Sequence, residues 1–299
     1  MVDCLIQEAC PANPAEGTNH VVHRSKLTVG GRELHFGSLG QGQPVLLMHT
    51  PHRYGVALYR ALSVRAEHQI ILVDIPGFYR QMEGQPVTHI REFVDLLASL
   101  QDQLGCPRVH LLGKCAGALA AWEYAAQYPG RVARVVAVAP PLSLYSTLYG
   151  AVVRQAFGLA NAHRTMRRLI LAVLNNPFCA KLVRRATVDG DYARLVSEEL
   201  ARCSACFDEQ VFFGVLSSLA AIDIAPLLKK VLNDTLIVFG ANDPSVGAGA
   251  VDKAIHSMPS AGSVCIADAN HGLLNCQAAR VNQAVVPFLL APRAPSTVC

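Results

Sequence analysis

The amino-acid sequence predicts one α/β domain, in which a mostly parallel sheet has helices on both faces and carries an inserted helical cap. Short continuous apolar runs alternate with helical patterns, as expected when parallel strands are buried on both faces. One long internal stretch interrupts this alternation with helical composition only. The chain has 299 residues, of which 52% are hydrophobic and 16% charged, so it can bury a core of good size.

The predicted strands begin with a hairpin that turns at the glycine pair 30–31. Six apolar runs follow, and the eight strands are predicted at 27–29, 33–36, 44–49, 69–74, 109–113, 132–139, 235–240 and 263–267. Apolar spacing near 3.6 residues or a helical composition predicts helices at 89–104, 116–128, 248–257 and 274–290.

The same patterns predict how the chain is divided. We expect an irregular N-terminal segment at 1–24, a sheet core made of 25–141 and 232–291, a helical cap at 142–231 and a flexible tail at 292–299. The cap prediction depends on the absence of a convincing strand pattern between about 143 and 230.

Composition excludes several classes of function. The formal net charge is +4 and the basic residues are scattered, which does not favour nucleic-acid binding. No apolar run reaches about 18 residues, and no signal-peptide pattern is present, so we expect a cytoplasmic protein without a membrane span. The ten cysteines include one C-x-x-C pair, Cys203 and Cys206, without a second pair at zinc spacing. We therefore predict no metal and no cofactor; the oligomeric state stays open.

The most informative segment is the turn Gly113-Lys114-Cys115-Ala116-Gly117, which follows a predicted strand and begins a helix rich in small residues. Small residues on both sides of Cys115 allow the sharp strand-to-helix turn that exposes a nucleophile. The helix N-terminus favours a thiolate, and the N–H of Ala116 points to where an oxyanion would develop. The alternative is a buried cysteine at a tight turn.

This turn resembles the nucleophile elbow of the α/β-hydrolase superfamily, with cysteine in place of serine, and the resemblance covers roughly residues 27–290. His49 ends the third strand, as is common in that family. The segments 74–78, 240–243 and 270–272 resemble its D-x-P-G-F turn, its G-x-x-D acid turn and its histidine loop. The resemblance implies a triad of Cys115, Asp243 and His271.

Each implied role has an alternative. Asp243 can act simply as a helix cap, His271 can be a surface residue, and Asp268 is a rival acid close to His271 in sequence. The residue after His49 is Thr50 and not glycine. The resemblance implies that the N–H groups of Thr50 and Ala116 form the oxyanion hole.

With cysteine as nucleophile, the resemblance implies acyl transfer through a covalent acyl-cysteine, by a thioesterase, acyltransferase or cyclase. Thiolates exchange readily with thioesters, so we expect a small-molecule acyl substrate carried on coenzyme A or a carrier-protein thiol. The candidate substrate-binding residues are His49, His52, Arg53 and Lys114.

Four alternatives stay open. The chain can be an ester or C–C bond hydrolase like capped relatives, or a scaffold that catalyses a non-acyl cyclisation. It can also be a binding module with a degenerate triad, or Cys115 can replace an original serine.

Overall fold

The computed structural model describes residues 23–48, 67–77, 85–176 and 208–292. Its single sheet contains eight strands: β1 (His23–Val29), β2 (Arg32–Leu39), β3 (Gln43–Met48), β4 (His68–Val73), β5 (Val109–Lys114), β6 (Val132–Val138), β7 (Thr235–Gly240) and β8 (Ala261–Ile266). The spatial order is β1-β2-β4-β3-β5-β6-β7-β8. All pairings from β4 to β8 are parallel, whereas β1–β2 and β2–β4 are antiparallel. The predicted α/β fold with a mostly parallel sheet is confirmed.

Ten helices are described between and after these strands: α1 (Ile90–Gln103), α2 (Ala116–Gln127), α3 (Ser143–Ser146), α4 (Leu148–Ala162), α5 (Arg164–Asn175), α6 (Glu209–Ala220), α7 (Ile224–Lys229), α8 (Ala248–Ser257), α9 (Leu273–Cys276) and α10 (Ala278–Leu290). A short 3₁₀ turn at Pro129–Arg131 precedes β6. The helix predicted at 274–290 is thus two helices, because Gln277, with φ −130° and ψ 31°, leaves the helical conformation between them.

The core lies at the centre of the sheet, where every residue of β5, β6 and β7 is buried. Helix α2 packs on β5 and β6, and its Trp122 and Tyr124 are fully buried. Removing an aliphatic or aromatic side chain of this size from water contributes roughly 1.5–3 kcal/mol. The central strands are therefore a rigid base for residues at their C-terminal ends.

The part of segment 142–231 that the structure describes contains helices α3 to α7 and no strand. Helix α6 contacts α1, α2 and α4, and the N–H of Ile90 donates to the Ser218 hydroxyl over 2.9 Å. Helix α7 contacts α2 and α8, which belong to the sheet domain. The division into core and cap at 142–231 stays a prediction. None of the described helices is long and apolar enough to cross a membrane.

Candidate active site

Cys115 lies on a strained turn between β5 and α2. Its backbone has φ 54° and ψ −122°, a conformation that non-glycine residues rarely adopt. The turn is fixed from the sheet side, because the N–H of Cys115 donates to the carbonyl of Val138 over 2.9 Å. A Cβ at Gly113 would lie 2.3 Å from the carbonyl oxygen of Gly117, so only glycine lets helix and strand approach this closely. The thiol is therefore held at the C-terminal edge of the central strands.

Asp243 lies in the turn after β7, two strands from Cys115 in the sheet. Its side chain is completely buried, and the described hydrogen bonds of its carboxylate are to Ser245 and His271. Oδ1 accepts hydrogen bonds from the backbone N–H of Ser245, at 2.9 Å, and from the Ser245 hydroxyl. Oδ2 lies 2.8 Å from Nδ1 of His271. Although burial opposes ionisation, the bonds from His271 and Ser245 lower the pKa of Asp243, so it stays a carboxylate.

The loop after β8 brings His271 to Asp243. The N–H of Asn242 donates to the carbonyl of Ala269 over 2.9 Å, which joins this loop to the acid turn. Gly240 makes the junction possible, since a Cβ there would lie 2.3 Å from the Ala269 oxygen. The rival acid, Asp268, is exposed at the surface. Of the two candidate acids, the structure therefore joins Asp243 to His271.

Cys115 and His271 form a hydrogen-bonded, oppositely charged pair. Burial opposes charge on both groups. For His271, the thiolate and the Asp243 carboxylate outweigh burial and raise the pKa to about 9. At Cys115 burial is outweighed by three neighbours, which together lower the pKa of the thiol: His271, the Lys114 ammonium and the Ala116 N–H. The surroundings of both groups therefore favour a thiolate–imidazolium pair over the neutral pair.

Lys114 is buried beside this pair, with 6% of its surface exposed. Burial lowers its pKa to about 8, opposed by the charges of Cys115, Asp243 and Cys276. Tyr145 of α3 also interacts with Cys115: burial raises the pKa of its phenol, the Arg154 guanidinium opposes this, and the charge of Cys115 adds to it. Its hydroxyl donates to the carbonyl of Leu219 over 2.7 Å. The sequence did not indicate Tyr145 or the burial of Lys114.

Several candidates from the sequence lie outside the described residues: His49, Thr50, His52 and Arg53. The proposed second oxyanion donor, Thr50, and three substrate-binding residues therefore stay predictions. Ala116 is the first residue of α2, so its N–H has no partner within the helix, and it donates to the Cys115 sulfur. Within the described ranges, no group of three or more His, Cys, Asp or Glu side chains could hold a metal ion.

Ser245 is a site residue that the sequence analysis missed. Its hydroxyl oxygen lies 2.9 Å from Nδ1 of His271 and also bonds Asp243. Its position two residues after the acid is the one signal in the sequence, and serine is a common residue in turns.

Residues 48–274 match the model of a family described as the alpha/beta hydrolase fold, which covers more than half of the chain. Two curated relatives are hydrolases. The chain is 25% identical over 244 residues to a 2-hydroxy-6-oxo-6-phenylhexa-2,4-dienoate hydrolase of Burkholderia cepacia, covering 76% of this chain and 81% of that protein. It is 24% identical over 245 residues to a 2-hydroxy-6-oxononadienedioate/2-hydroxy-6-oxononatrienedioate hydrolase of Comamonas testosteroni, with the same coverage.

Solved structures share the fold. A thermophilic esterase from Thermogutta terrifontis superposes with a TM-score of 0.67 at 22% identity, covering 89% of this chain and 98% of that chain. The enol-lactonase from Burkholderia xenovorans superposes with a TM-score of 0.68 at 17% identity, covering 89% and 99%. At these identities the likeness concerns the fold alone.

Proposed function

We propose, because this chain belongs to the α/β-hydrolase fold family, that it is a hydrolase that cleaves activated acyl compounds through a covalent acyl intermediate on Cys115. The observation that carries the proposal is the continuous arrangement Asp243–His271–Cys115, in which the carboxylate, the imidazole and the thiol are bonded in turn. This is the arrangement of a nucleophile, a general base and the acid that orients the base.

The reaction has two halves. The Cys115 thiolate attacks the carbonyl carbon, and the tetrahedral oxyanion faces the N-terminus of α2. The imidazolium of His271 then gives its proton to the leaving group as the carbonyl re-forms on Cys115. In the second half, neutral His271 takes a proton from water as that water attacks the thioester. The acid product is released and the thiol of Cys115 is regenerated. Asp243 keeps the imidazole oriented throughout.

The cysteine determines which acyl compounds react. The tetrahedral intermediate expels its better leaving group, and a thiolate leaves much more easily than an alkoxide. Attack on a plain alkyl ester therefore mostly reverses. A phenol, an enolate, a thiolate or a stabilised carbanion leaves well enough to complete the first half. We propose that the substrates are enol or aryl esters, lactones of enols, or ketones whose C–C cleavage releases a stabilised carbanion.

The named relatives support this range of substrates. The two curated relatives are named as hydrolases of 2-hydroxy-6-oxo compounds, ketones in which an enol is conjugated with the carbonyl, so that a carbanion released beside it would be stabilised. For this chain, hydrolysis of a carbon–carbon bond or an activated ester is favoured over the acyl transfer expected from the sequence alone.

Transfer from a thioester is the second candidate, and the observation that favours it is the cysteine itself. Exchange between two thiolates is nearly neutral in energy, so an acyl group on coenzyme A or a carrier-protein thiol could load Cys115. An amine or alcohol acceptor would then take the place of water.

A substrate panel tests the proposal: phenyl acetate, vinyl acetate, ethyl acetate and S-phenyl thioacetate, each with the parent and with Cys115→Ser. We expect the parent to hydrolyse the aryl, enol and thiol esters and to leave ethyl acetate almost untouched. In Cys115→Ser the rate on ethyl acetate should move closer to the rate on phenyl acetate. With ethyl acetate the attacking serine and the leaving ethanol are both alkoxides, so the intermediate no longer expels the enzyme group preferentially. Equal rates of the parent on ethyl and phenyl acetate would contradict the proposed role of the thiolate.

A further inference from the structure

Ser245 connects three parts of the site: the buried acid, the histidine and the first helix of the predicted cap. We infer that Ser245 is a positioning residue, whose hydroxyl fixes the ring of His271 for the chemistry at Cys115 and whose carbonyl ties that position to α3. The inference rests on the proposed function, since it assigns Ser245 a part in the same hydrolysis.

The first step concerns the carboxylate of Asp243. Its Oδ1 accepts two hydrogen bonds from one residue, the N–H of Ser245 at 2.9 Å and the Ser245 hydroxyl. Two donors on a single oxygen hold the plane of the carboxylate, so that Oδ2 faces His271. Ser245 therefore determines the direction from which the acid meets the histidine.

The second step concerns the ring of His271. Nδ1 lies 2.8 Å from Oδ2 of Asp243 and 2.9 Å from Oγ of Ser245. The Ser245 hydroxyl donates its hydrogen bond to Asp243, so the lone pairs of Oγ face Nδ1. Both neighbours of Nδ1 are then acceptors, and the proton of the neutral ring is fixed at Nδ1. The other ring nitrogen, Nε2, is left to exchange protons with Cys115.

The third step leads to α3. The backbone N–H of Ser143, the first residue of α3, donates to the carbonyl of Ser245 over 3.0 Å, and its hydroxyl bonds the same carbonyl and that of Pro244. Two residues on, Tyr145 interacts with the charge of Cys115. One turn of helix is thus anchored to the acid turn and also borders the nucleophile. A displacement of α3 would move the hydroxyl that holds His271.

The charges around the ring are those of Cys115 and Asp243, with Lys114 buried next to both. Ser245 adds a neutral acceptor to this set. The bond from Nδ1–H to Oγ exists in both forms of the ring but is stronger from the charged ring, so its removal should lower the pKa of His271. In the second half of the reaction the neutral ring becomes charged as it takes the proton from water, so this bond strengthens in the transition state. Its loss should therefore slow that half roughly ten- to a hundredfold.

The test compares Ser245→Ala with Ser245→Thr, which keeps a hydroxyl. Ser260→Ala is the matched control, because Ser260 is exposed and donates to Asp234 over 2.6 Å at the opposite end of β7. For each variant, alkylation of the Cys115 peptide by iodoacetamide is followed by mass spectrometry from pH 5 to 11. The kcat and KM for phenyl acetate are measured beside it, with thermal unfolding as a check on the fold.

We expect Ser245→Ala to lower kcat at least tenfold with KM within twofold, and to move the upper inflection of the alkylation profile below pH 9. Ser245→Thr should recover most of kcat, and Ser260→Ala should match the parent. If Ser245→Ala keeps the parent's profile and kcat, or if Ser245→Thr loses as much as Ser245→Ala, the inference is wrong. Alkylation needs no substrate, so this result stands apart from the proposed function, which fails if the parent itself forms no acyl-cysteine.

Discussion

Replacing Asp243 by asparagine removes the charge that holds His271 and leaves a side chain of nearly the same shape. In the folded protein the pKa of His271 is about 9, against an ordinary value of 6.5. This difference corresponds to roughly 3 kcal/mol in favour of the imidazolium. Burial opposes it, and the Cys115 thiolate and the Asp243 carboxylate together supply it. Because the two anions must also offset burial, they supply more than this net figure; if each supplies about half, the variant loses at least about 1.5 kcal/mol, and the pKa of His271 falls by about one unit or more.

The effect on turnover should exceed this electrostatic loss. An asparagine amide that donates to Nδ1 would favour the wrong tautomer, and in a serine protease the equivalent change costs about 10⁴ in kcat. The thiolate of Cys115 needs less help from its base than a serine hydroxyl does, so we expect a loss on the order of 10²–10³.

The assay is the pH dependence of kcat/KM for phenyl acetate. A group with a raised pKa holds its proton until the pH passes that pKa, so the parent's activity should fall above about pH 9, where His271 loses the proton that the leaving group needs. In Asp243→Asn the fall should begin about one pH unit lower. Asp234→Asn is the matched control, because Asp234 is a half-exposed aspartate that accepts from Ser260 and faces Arg134 before the start of β7. An alkaline fall that stays near pH 9 in Asp243→Asn would refute the assigned origin of the His271 pKa.

Two further outcomes are expected. Gly113→Ala should lower the free energy of unfolding in urea by at least about 2 kcal/mol, because its Cβ would overlap the Gly117 carbonyl. The control, Gly130→Ala, should change it by less than about 0.5 kcal/mol, since a Cβ there meets nothing within 4 Å. Equal losses in the two variants would contradict the close approach of helix and strand at Gly113. Lys114→Met removes a buried cation, so it should raise the pKa of Cys115 and slow alkylation of that thiol several-fold at pH 7. An unchanged alkylation profile would show that the ammonium does not act on the thiolate.

The sheet could be predicted from the sequence because its central strands are buried on both faces. Each of β5, β6 and β7 is a continuous apolar run in the sequence, with every residue buried in the structure. The elbow was equally readable, since a glycine two residues before Cys115 and a strand ahead of it are local features. The order of Asp243 and His271 after Cys115 along the chain was enough to predict the other two members of the triad.

Other site features could not be read from the chain, because they depend on distances between separate loops. Ser245 reaches His271 only because the acid turn and the histidine loop are joined at Gly240 and Ala269. The burial of Lys114 goes against the usual exposure of lysine, and it follows from the place of this residue at the end of a central strand. The split of the last predicted helix at Gln277 has no clear signal in the local apolar spacing.

The central claim is that Cys115 becomes acylated. Its most direct test is the intact mass of the protein within seconds of mixing with phenyl acetate or S-phenyl thioacetate, with acid quench and peptide mapping, beside Cys115→Ala. We expect one added acetyl group on the peptide that contains Cys115, absent from the alanine variant and longer-lived in Asp243→Asn, whose His271 activates water poorly. Turnover without any acyl group on Cys115, or equal turnover by Cys115→Ala, would contradict covalent catalysis at this residue.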